Sequence, residues 1–313
     1  MTCRTGGTYL TQQLNIGVIG TDSSHSTAFA ALLNHAEHPY HVPGGRIVSA
    51  YAGGSPDFEL SISRVGIFAA ELAGKHQVHF YDTPEEVAEH SDAVMILTAD
   101  GRRHTELFES VAAYGKPVFI DKPLALSLKD AEEICEIAQK NGIPLMSSSS
   151  LRYAEALTSE RSSTESGKIT GTDCYGPMAM EPTQPGYFWY GIHSIEMMYA
   201  ILGTGCEYVT AVSADDPGSE ELIIGEWSDG RIGTARGSRL SGTPFGAVIH
   251  REKGQIFVNM DASVKPFYAS LLERVMEVFH RKAETPDMRI TLEIIRFIEA
   301  ANESRETGNK IKL

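Results

Sequence analysis

A lysine beside a proline, at residues 122 and 123, is the first position in the chain that could do chemistry. The stretch PVFIDKPLALS, residues 117–127, begins as a short apolar strand, and Pro123 cannot continue a ladder because it has no N–H to donate. The chain must therefore leave the sheet at Asp121 and Lys122. Because open α/β folds bind ligands at the carboxyl edge of a parallel sheet, Lys122 is predicted to lie in a crevice. A solvated lysine in a turn is the alternative that these residues alone leave open.

A histidine in the second half of the chain is the other candidate for proton transfer. His193 falls near the start of a predicted helix in the run FWYGIHSIE, residues 188–196, and Glu196 lies one turn later, so the two can share a face. A histidine opposite a cofactor is a natural general base because its pKa lies near neutral pH. A purely structural role for His193 is the competing interpretation.

The first predicted strand and the turn after it could bind a nucleotide phosphate. Residues 14–20 are apolar and end in glycine, and a helix follows with Ser23 or Ser24 as its N-cap. Such a unit directs backbone amides at a pyrophosphate. The G-x-G-x-x-G pattern is incomplete, because Asp22 and His25 occupy its second and third glycine positions. A carboxylate there would repel a pyrophosphate unless it turned away, for example to cap the helix, and a helix cap without a nucleotide is the alternative.

The elements that would position these residues alternate between strand and helix in the first half of the chain. Apolar, β-branched runs predict six strands, at residues 14–20, 46–52, 78–81, 92–98, 117–120 and 143–146. Helical patterns lie between them, notably at residues 24–37, 57–73 and 127–140. A further helix opens with a capping box at Thr83 and Glu86. Six strands separated by helices imply an α/β domain with a doubly wound parallel sheet.

After about residue 151 the pattern changes to strands without intervening helices. A helix carrying Arg152 and Tyr153 is predicted to lead into a polar surface turn at residues 159–167. Strands are predicted at residues 169–175, 208–213, 221–227, 232–236, 247–250 and 255–259, and helices at 191–202, 267–281 and 289–304. This grouping favours an α+β domain with a mainly antiparallel sheet. We therefore predict a first domain over residues 1–124, completed by 125–150, and a second over 151–313 whose helix 289–304 packs back on the first.

Composition excludes several classes of protein. A chain of 313 residues with 42% hydrophobic and 22% charged residues suits a globular protein of two domains. Its formal charge of −14 disfavours broad binding to nucleic acid or to anionic lipid. No metal site is predicted, because the four cysteines are far apart and share no C-x-x-C spacing; they are Cys3, Cys135, Cys174 and Cys206. Residues 1–13 lack the apolar core of a secretory signal and no run could span a bilayer, so a cytoplasmic location is expected.

Five stretches, taken together and in order, carry a resemblance to a known family. They are IGVIGTDSSH at 16–25, SDAVMILTADGRRH at 91–104, GKPVFIDKPLALSLKDAEEICEIAQKNGIPLM at 115–146, YGIHSIEMMYAILG at 190–203 and TLEIIRFIEAANESRETGNKIKL at 291–313. The chain resembles the Gfo/Idh/MocA oxidoreductases, and the D-K-P triplet at 121–123 matches the family's most specific motif. The resemblance implies a Rossmann domain joined to a substrate domain whose sheet forms an oligomer interface. It also implies NAD or NADP as cofactor and hydride exchange with a hydroxyl carbon of a sugar or cyclitol.

The resemblance also implies roles for individual residues. Lys122 would contact the nicotinamide ribose and the substrate oxygen, where its charge would stabilise a developing alkoxide. His193 would take or return the hydroxyl proton, and Glu196 stands where the family often has aspartate. The expected cofactor-binding residues are Gly20, Thr21, Asp22, Ser23, Ser24, His25, Thr98, Asp100, His104, Asp121 and Lys122. The expected substrate-binding residues are Arg152, Tyr153, Trp189 and Tyr190.

The chain departs from the family at its catalytic segment. That segment typically reads D-x-x-x-H, and the residue four before His193 is Trp189. A tryptophan cannot accept a proton, although it can stack on a sugar face or on the nicotinamide. Either Glu196 or Glu181 supplies the missing carboxylate, or the redox activity has been lost.

Three functions and two cofactors are compatible with these residues. The leading hypothesis is an NAD(P)-dependent oxidoreductase acting on a sugar-like polyol or its keto form. A lyase acting on a keto-sugar and a non-catalytic ligand sensor are the alternatives. Strand 46–52 ends without the acidic residue that selects NAD or the arginine that selects NADP, and Asp57 and Arg64 come only later.

Overall fold

The first sheet is built from six parallel strands. The computed structural model of the protein describes residues 12–214, 220–239 and 244–313. The strands are β1 (Leu14–Ile19), β2 (Gly45–Tyr51), β3 (His79–Phe80), β4 (Ala93–Ile96), β5 (Val118–Ile120) and β6 (Leu145–Ser147). Their order, β3-β2-β1-β4-β5-β6, changes direction between β1 and β4, where such folds have their ligand crevice. The predicted doubly wound parallel sheet is confirmed.

Five helices connect these strands, and their ends follow from local chemistry. They are α1 (Ser24–Asn34), α2 (Glu59–His76), α3 (Pro84–Glu89), α4 (His104–Ala112) and α5 (Leu128–Asn141). The hydroxyl of Ser23 caps α1 by accepting from the amide of His25. The predicted capping box of Thr83 and Glu86 opens α3. These caps place the start of α1 at the carboxyl edge of β1.

The second sheet has seven strands in the described residues and is mainly antiparallel, as predicted. They are β7 (Ile169–Pro177), β8 (Cys206–Ser213), β9 (Glu220–Trp227), β10 (Ile232–Ser238), β11 (Gly246–Arg251), β12 (Gly254–Asn259) and β13 (Ile311–Lys312). The order is β12-β11-β7-β10-β9-β8-β13, and β7 and β10 pair in parallel. The short final strand β13 was not predicted.

The remaining helices are α6 (Glu155–Ser162), α7 (Gly191–Leu202), α8 (Phe267–Phe279) and α9 (Met288–Thr307). The prediction of a helix carrying Arg152 and Tyr153 was wrong in detail, because those residues lie in a 3-10 turn, Ser150–Tyr153. The first part of the polar run predicted as a surface turn is instead the end of α6. Helix α7 covers one face of the second sheet and is buried along almost its whole length.

Two late helices contact the first domain. Helix α8 buries Ala269, Leu272 and Val275 in the same hydrophobic cluster as Phe29 and other residues of the first sheet. Helix α9 packs against β8 and α5, and the Glu299 carboxylate accepts from the amide of Leu128 at 2.8 Å. The chain therefore returns to its first half after β12 and before the final strand, β13, joins the second sheet. The proposed division of the chain at residue 151 remains a prediction.

Candidate active site

Lys122 lies at the carboxyl end of β5, on the side that faces the second domain. The backbone around it is fixed by His104, whose ring nitrogens lie 2.7 Å from the carbonyl oxygen of Pro123 and 3.2 Å from that of Thr98. The Lys122 ammonium donates to the carbonyl of Trp189 at 3.5 Å and lies 5.4 Å from the centre of that indole. Burial lowers the pKa of Lys122, against the opposing charges of Asp121 and Glu196.

A cavity of about 180 Å³ separates the two domains at this point. Its walls bring together predicted cofactor, catalytic and substrate residues from three segments of the chain. They are Asp22, Ser23, Ser24, His25, Asp121, Lys122, Trp189, Tyr190 and His193, joined by Leu60, Arg64, Ala99, Ser150, Leu151, Phe245, Phe267 and Tyr268. Lys122 and His193 therefore face one gap, which is the arrangement that hydride and proton transfer to one carbon would need.

The imidazole of His193 is held by a hydroxyl, with no carboxylate on its Nδ1. Its Nδ1 lies 2.7 Å from the hydroxyl oxygen of Ser149, and its ring packs edge-on between Tyr190 and Phe245, at 5.6 and 5.5 Å. Burial, followed by the positive charge of Lys122, lowers the pKa of His193 well below its ordinary value. His193 is therefore a neutral imidazole at neutral pH.

Glu196 and Arg152 form a buried ion pair behind the cavity wall. The Glu196 carboxylate accepts from the amide of Ser149 at 3.1 Å and from the hydroxyl of Ser148 at 3.2 Å, and Arg152 Nη1 lies 3.4 Å from it. Burial raises the pKa of Glu196 although Arg152 opposes the shift. Neither residue lines the cavity. Tyr153, a third predicted site residue, packs instead in the hydrophobic cluster of the first sheet.

The turn after β1 explains how an aspartate can replace a glycine. Gly20 has φ +88°, and a Cβ there would come within 2.5 Å of the backbone nitrogen of Thr98, so glycine is required. The carboxylate of Asp22 is fully buried and accepts from Ser61 Oγ at 2.6 Å, from Thr98 Oγ1 at 3.1 Å and from the amide of Ala99 at 3.1 Å. Its charge is thus turned away from the start of α1. The carboxylate turns away without capping the helix, and the N-cap is Ser23, one of the two serines predicted for it.

Thr21 and Asp100 make contacts within the protein that hold the crevice together. The Thr21 hydroxyl donates to the carbonyl of Val65 at 3.1 Å. Asp100 is fully buried and accepts from Gln184 Nε2 at 3.0 Å and from Arg102. Although burial favours the neutral acid, these donors hold the pKa of Asp100 well below its ordinary value. Asp100 therefore joins the two domains and does not line the cavity.

His25 sits between a carboxylate and a phenol. Its Nδ1 makes a short contact with Asp121 Oδ2, and its Nε2 lies 3.0 Å from the hydroxyl oxygen of Tyr268. Burial of Asp121 favours its neutral acid, but His25 and then Lys122 outweigh this effect and lower the pKa of Asp121. Tyr268 was not predicted as a site residue. In the sequence it is one more aromatic residue on the apolar face of a helix, so no local signal marks it.

The described residues fit a nicotinamide dinucleotide. Ser23 and Ser24 bring the start of an eleven-residue helix to the cavity, where backbone amides can hold a pyrophosphate. Two cations, Arg64 and Lys122, line the same space, and both carboxylates of its wall already have partners: Asp22 has three donors and Asp121 contacts His25. Of the two residues considered for the choice between NAD and NADP, Arg64 lies in the cavity wall, whereas Asp57 forms an ion pair with Arg102 at 2.7 Å. Glu181, a predicted alternative carboxylate, is not in the wall.

Comparison with known proteins agrees with this geometry. Residues 14–149 match the sequence model of the GFO_IDH_MocA family, described as an oxidoreductase family with an NAD-binding Rossmann fold. The uncharacterized oxidoreductase YhhX of Escherichia coli strain K12 is 23% identical over 140 residues. That match spans 40% of this chain and 40% of YhhX. None of the helices in the described residues has the length and apolar composition of a membrane-spanning segment.

Solved structures share the complete two-domain fold. A probable dehydrogenase from Thermotoga maritima is similar with a TM-score of 0.78 and 20% identity, over 96% of this chain and 99% of that one. Myo-inositol dehydrogenase from Lactobacillus casei, solved with NAD(H) and myo-inositol, has a TM-score of 0.76 and 14% identity, over 97% of each chain. UDP-N-acetylglucosamine 3-dehydrogenase GnnA from Acidithiobacillus ferrooxidans has a TM-score of 0.76 and 15% identity, over 94% of this chain and 98% of that one. The predicted resemblance is confirmed: residues 14–149 match the Gfo/Idh/MocA oxidoreductase model, and the solved structures share the fold of the whole chain.

Proposed function

We propose that the protein is an NAD(P)-dependent oxidoreductase that exchanges a hydride with a hydroxyl or keto carbon of a sugar, a cyclitol or a related polyol. The observation that carries this proposal is the shared cavity of Lys122 and His193, which opens onto the start of α1. Two of the structural neighbours are named as dehydrogenases of myo-inositol and of a nucleotide sugar, which supports this class of substrate.

The walls of the cavity suggest how its residues act on the reacting carbon. When bound, the dinucleotide accepts or returns the hydride. The Lys122 ammonium would hold the substrate oxygen and stabilise negative charge on it, which is a large effect where water is excluded. Neutral His193 would hydrogen-bond the same oxygen through the nitrogen not held by Ser149. Trp189 and Tyr190 offer aromatic faces for the apolar side of a sugar ring.

A direct experiment tests this proposal. The purified protein is denatured, and the released small molecules are analysed by absorbance and mass for nicotinamide dinucleotide. The protein is then assayed with NAD and with NADP against myo-inositol, scyllo-inositol and a panel of aldoses. We expect dinucleotide either to be released on denaturation or to bind when it is added. With at least one cyclic polyol, the absorbance at about 340 nm, where the reduced nicotinamide absorbs, should rise. Absence of both dinucleotide binding and turnover would overturn the proposal.

One observation favours a non-catalytic ligand-binding protein as the second candidate. The family's carboxylate position holds Trp189, and Glu196, which could have replaced it, is committed to Arg152 behind the wall. A sensor would bind the dinucleotide or a polyol without turnover. Isothermal titration with myo-inositol in the presence of NAD, run beside the turnover assay, separates the two functions.

The open face of the second sheet supports the predicted homo-oligomer. Phe257, Ile232 and Val212 point from this face and are 65%, 53% and 54% exposed, which is unusual for such side chains. We propose that a second copy covers them, and Phe257→Glu should then lower the mass measured by analytical ultracentrifugation. We also propose the cytoplasm as the location, where the described cysteines, Cys135, Cys174 and Cys206, remain free thiols.

A further inference from the structure

Three side chains from separate segments form one hydrogen-bonded line that ends in the cavity. Asp121 follows β5, whereas His25 and Tyr268 are the second residues of α1 and α8. Asp121 Oδ2 contacts His25 Nδ1, and His25 Nε2 lies 3.0 Å from the Tyr268 hydroxyl. We propose that Tyr268 is a catalytic residue that exchanges a proton with the substrate hydroxyl, and that His25 and Asp121 position it and carry that proton. This inference rests on the proposed function.

The order of donors along the line follows from the chemistry of each group. The Asp121 carboxylate can only accept, so the hydrogen between it and the ring belongs to His25 Nδ1. His25 Nε2 then carries a lone pair and accepts from the hydroxyl of Tyr268. The phenol oxygen keeps its own lone pairs for a hydrogen bond from a ligand. Because Tyr268 lines the cavity, that ligand can be the substrate hydroxyl.

The surrounding residues hold the line of Asp121, His25 and Tyr268 in place. The His25 side chain is 13% exposed and that of Asp121 is 6% exposed, so water competes little for either group. The imidazole stacks on Phe29 at 5.5 Å, and the phenol meets Phe29 edge-on at 5.8 Å. Phe29 is fully buried. The rings are thus held by packing as well as by hydrogen bonds, which is what a proton path of fixed geometry requires.

Comparison with His193 favours this line as the proton acceptor. His193 Nδ1 is held by the neutral hydroxyl of Ser149, and the positive charge of Lys122 opposes protonation of its ring. His25 has an ionised carboxylate as partner, which stabilises an imidazolium. Burial raises the pKa of Tyr268, so the phenol is not a base by itself. It can accept a proton only while it gives its own to His25.

The step balances as follows for oxidation of a secondary alcohol by the oxidised dinucleotide. The substrate C–H bond breaks, and its electron pair leaves with the hydrogen for the nicotinamide, which is reduced. The substrate O–H bond breaks, its proton goes to the Tyr268 oxygen, and the original phenol proton goes to His25 Nε2. The products are the ketone, the reduced dinucleotide and an imidazolium paired with Asp121. Ketone reduction reverses each transfer.

The test compares the wild type with Tyr268→Phe, His25→Asn and Asp121→Asn, assayed with NAD and the inositols described above. We expect Tyr268→Phe and His25→Asn each to lower kcat by about 10²-fold, with little change in KM. Tyr40→Phe is the matched control, because Tyr40 packs at the edge of the same hydrophobic cluster outside the cavity. It should keep wild-type kcat. Thermal unfolding checks that every variant is folded.

A second readout needs neither cofactor nor substrate. NMR of the protein with isotope-labelled histidine reports which nitrogen of His25 carries the proton. We expect the Nδ1–H form in the wild type, a shifted Nε2 signal in Tyr268→Phe, and loss of the downfield Nδ1 proton in Asp121→Asn. If the wild type turns over and Tyr268→Phe keeps the wild-type kcat, the relay is overturned. An Nε2–H form of His25 in the wild type would also overturn it. If the wild type itself shows no turnover, the proposed function fails, and the NMR result still decides whether the line exists.

Discussion

The two walls of the cavity each present one imidazole, and they hold it in opposite ways. On the first-domain wall, His25 is paired with the carboxylate of Asp121 and with the phenol of Tyr268. On the second-domain wall, His193 is paired with a serine hydroxyl and packed between aromatic rings, while Glu196 is turned behind it toward Arg152. A carboxylate therefore contacts the first imidazole, whereas a neutral hydroxyl contacts the Nδ1 of the second. Because an ionised partner stabilises an imidazolium, the comparison favours the first wall as the one that accepts a proton.

Removing the ammonium of Lys122 should lower turnover more than any other single change. Lys122→Ala is expected to lower turnover by about 10³-fold, because no other ammonium faces the substrate oxygen from the described wall. Steady-state kinetics with NAD and myo-inositol measures it. Lys129→Ala, an exposed lysine on α5, is the control. Wild-type turnover in Lys122→Ala would remove this residue from the reaction.

Breaking each imidazole in turn tests whether the walls act on one oxygen. His193→Ala is expected to lower kcat by about 10²-fold. Combined with His25→Asn, the loss should be smaller than the product of the two single losses, because groups that act on one atom are not additive. The measurement is kcat for the four proteins of this cycle. A strictly multiplicative loss would instead show that the two imidazoles work independently.

The ion pair behind the second wall should affect stability. Arg152→Ala leaves a buried carboxylate without its partner and is expected to lower the free energy of unfolding by about 3 kcal/mol at pH 8. The pKa of Glu196 is already raised by burial above its ordinary value of 4.5. A carboxyl with a raised folded-state pKa contributes stability below its unfolded pKa and loses it as pH rises through the folded one. Because Arg152 opposes the raised pKa, its removal should cost less at pH 5 than at pH 8.

Urea unfolding at the two pH values measures this difference. The double variant Arg152→Ala with Glu196→Gln is the control, since it removes the charge together with its partner and should recover part of the loss. An equal cost at pH 5 and pH 8 would show that Glu196 keeps its charge in both conditions.

The smallest expected effect concerns Trp189, at the position where the pattern of the resembled family has aspartate. Trp189 meets Phe58 edge-on at 5.6 Å and covers the Lys122 ammonium. Trp189→Asp should raise KM about tenfold, equivalent to a loss of about 1.4 kcal/mol of binding, without raising kcat. Trp189→Phe should keep most of the binding. A gain in polyol oxidation by Trp189→Asp would instead show that the second wall can still use a carboxylate.

The sequence predicted the elements well because their patterns are local. Helix α7 was predicted at its observed bounds, Gly191–Leu202, and the six strands of the first sheet were each placed within a few residues. The prediction that His193 and Glu196 share a helix face also agrees with the structure, since both contact Ser149. Such predictions need only the period of the apolar residues.

The site was predicted less completely, because its decisive contacts join distant segments. The direction of the Asp22 carboxylate depends on Ser61 and Thr98, which are 39 and 76 residues away. The role of Tyr268 depends on His25, which is 243 residues away. No periodicity shows which sheet a late helix will cover, so Tyr268 looked like an ordinary core residue.

Helix α8 makes the two halves of the protein inseparable as fragments. Its buried side chains pack on the first sheet beside α1, although α8 follows six of the seven described strands of the second sheet. A fragment ending near residue 150 would display that apolar surface to water and would lack the later cavity residues, among them Trp189, His193 and Tyr268. The nucleotide-binding half can accordingly complete its folding only after the late part of the chain has been made, and the two domains should unfold in a single cooperative transition.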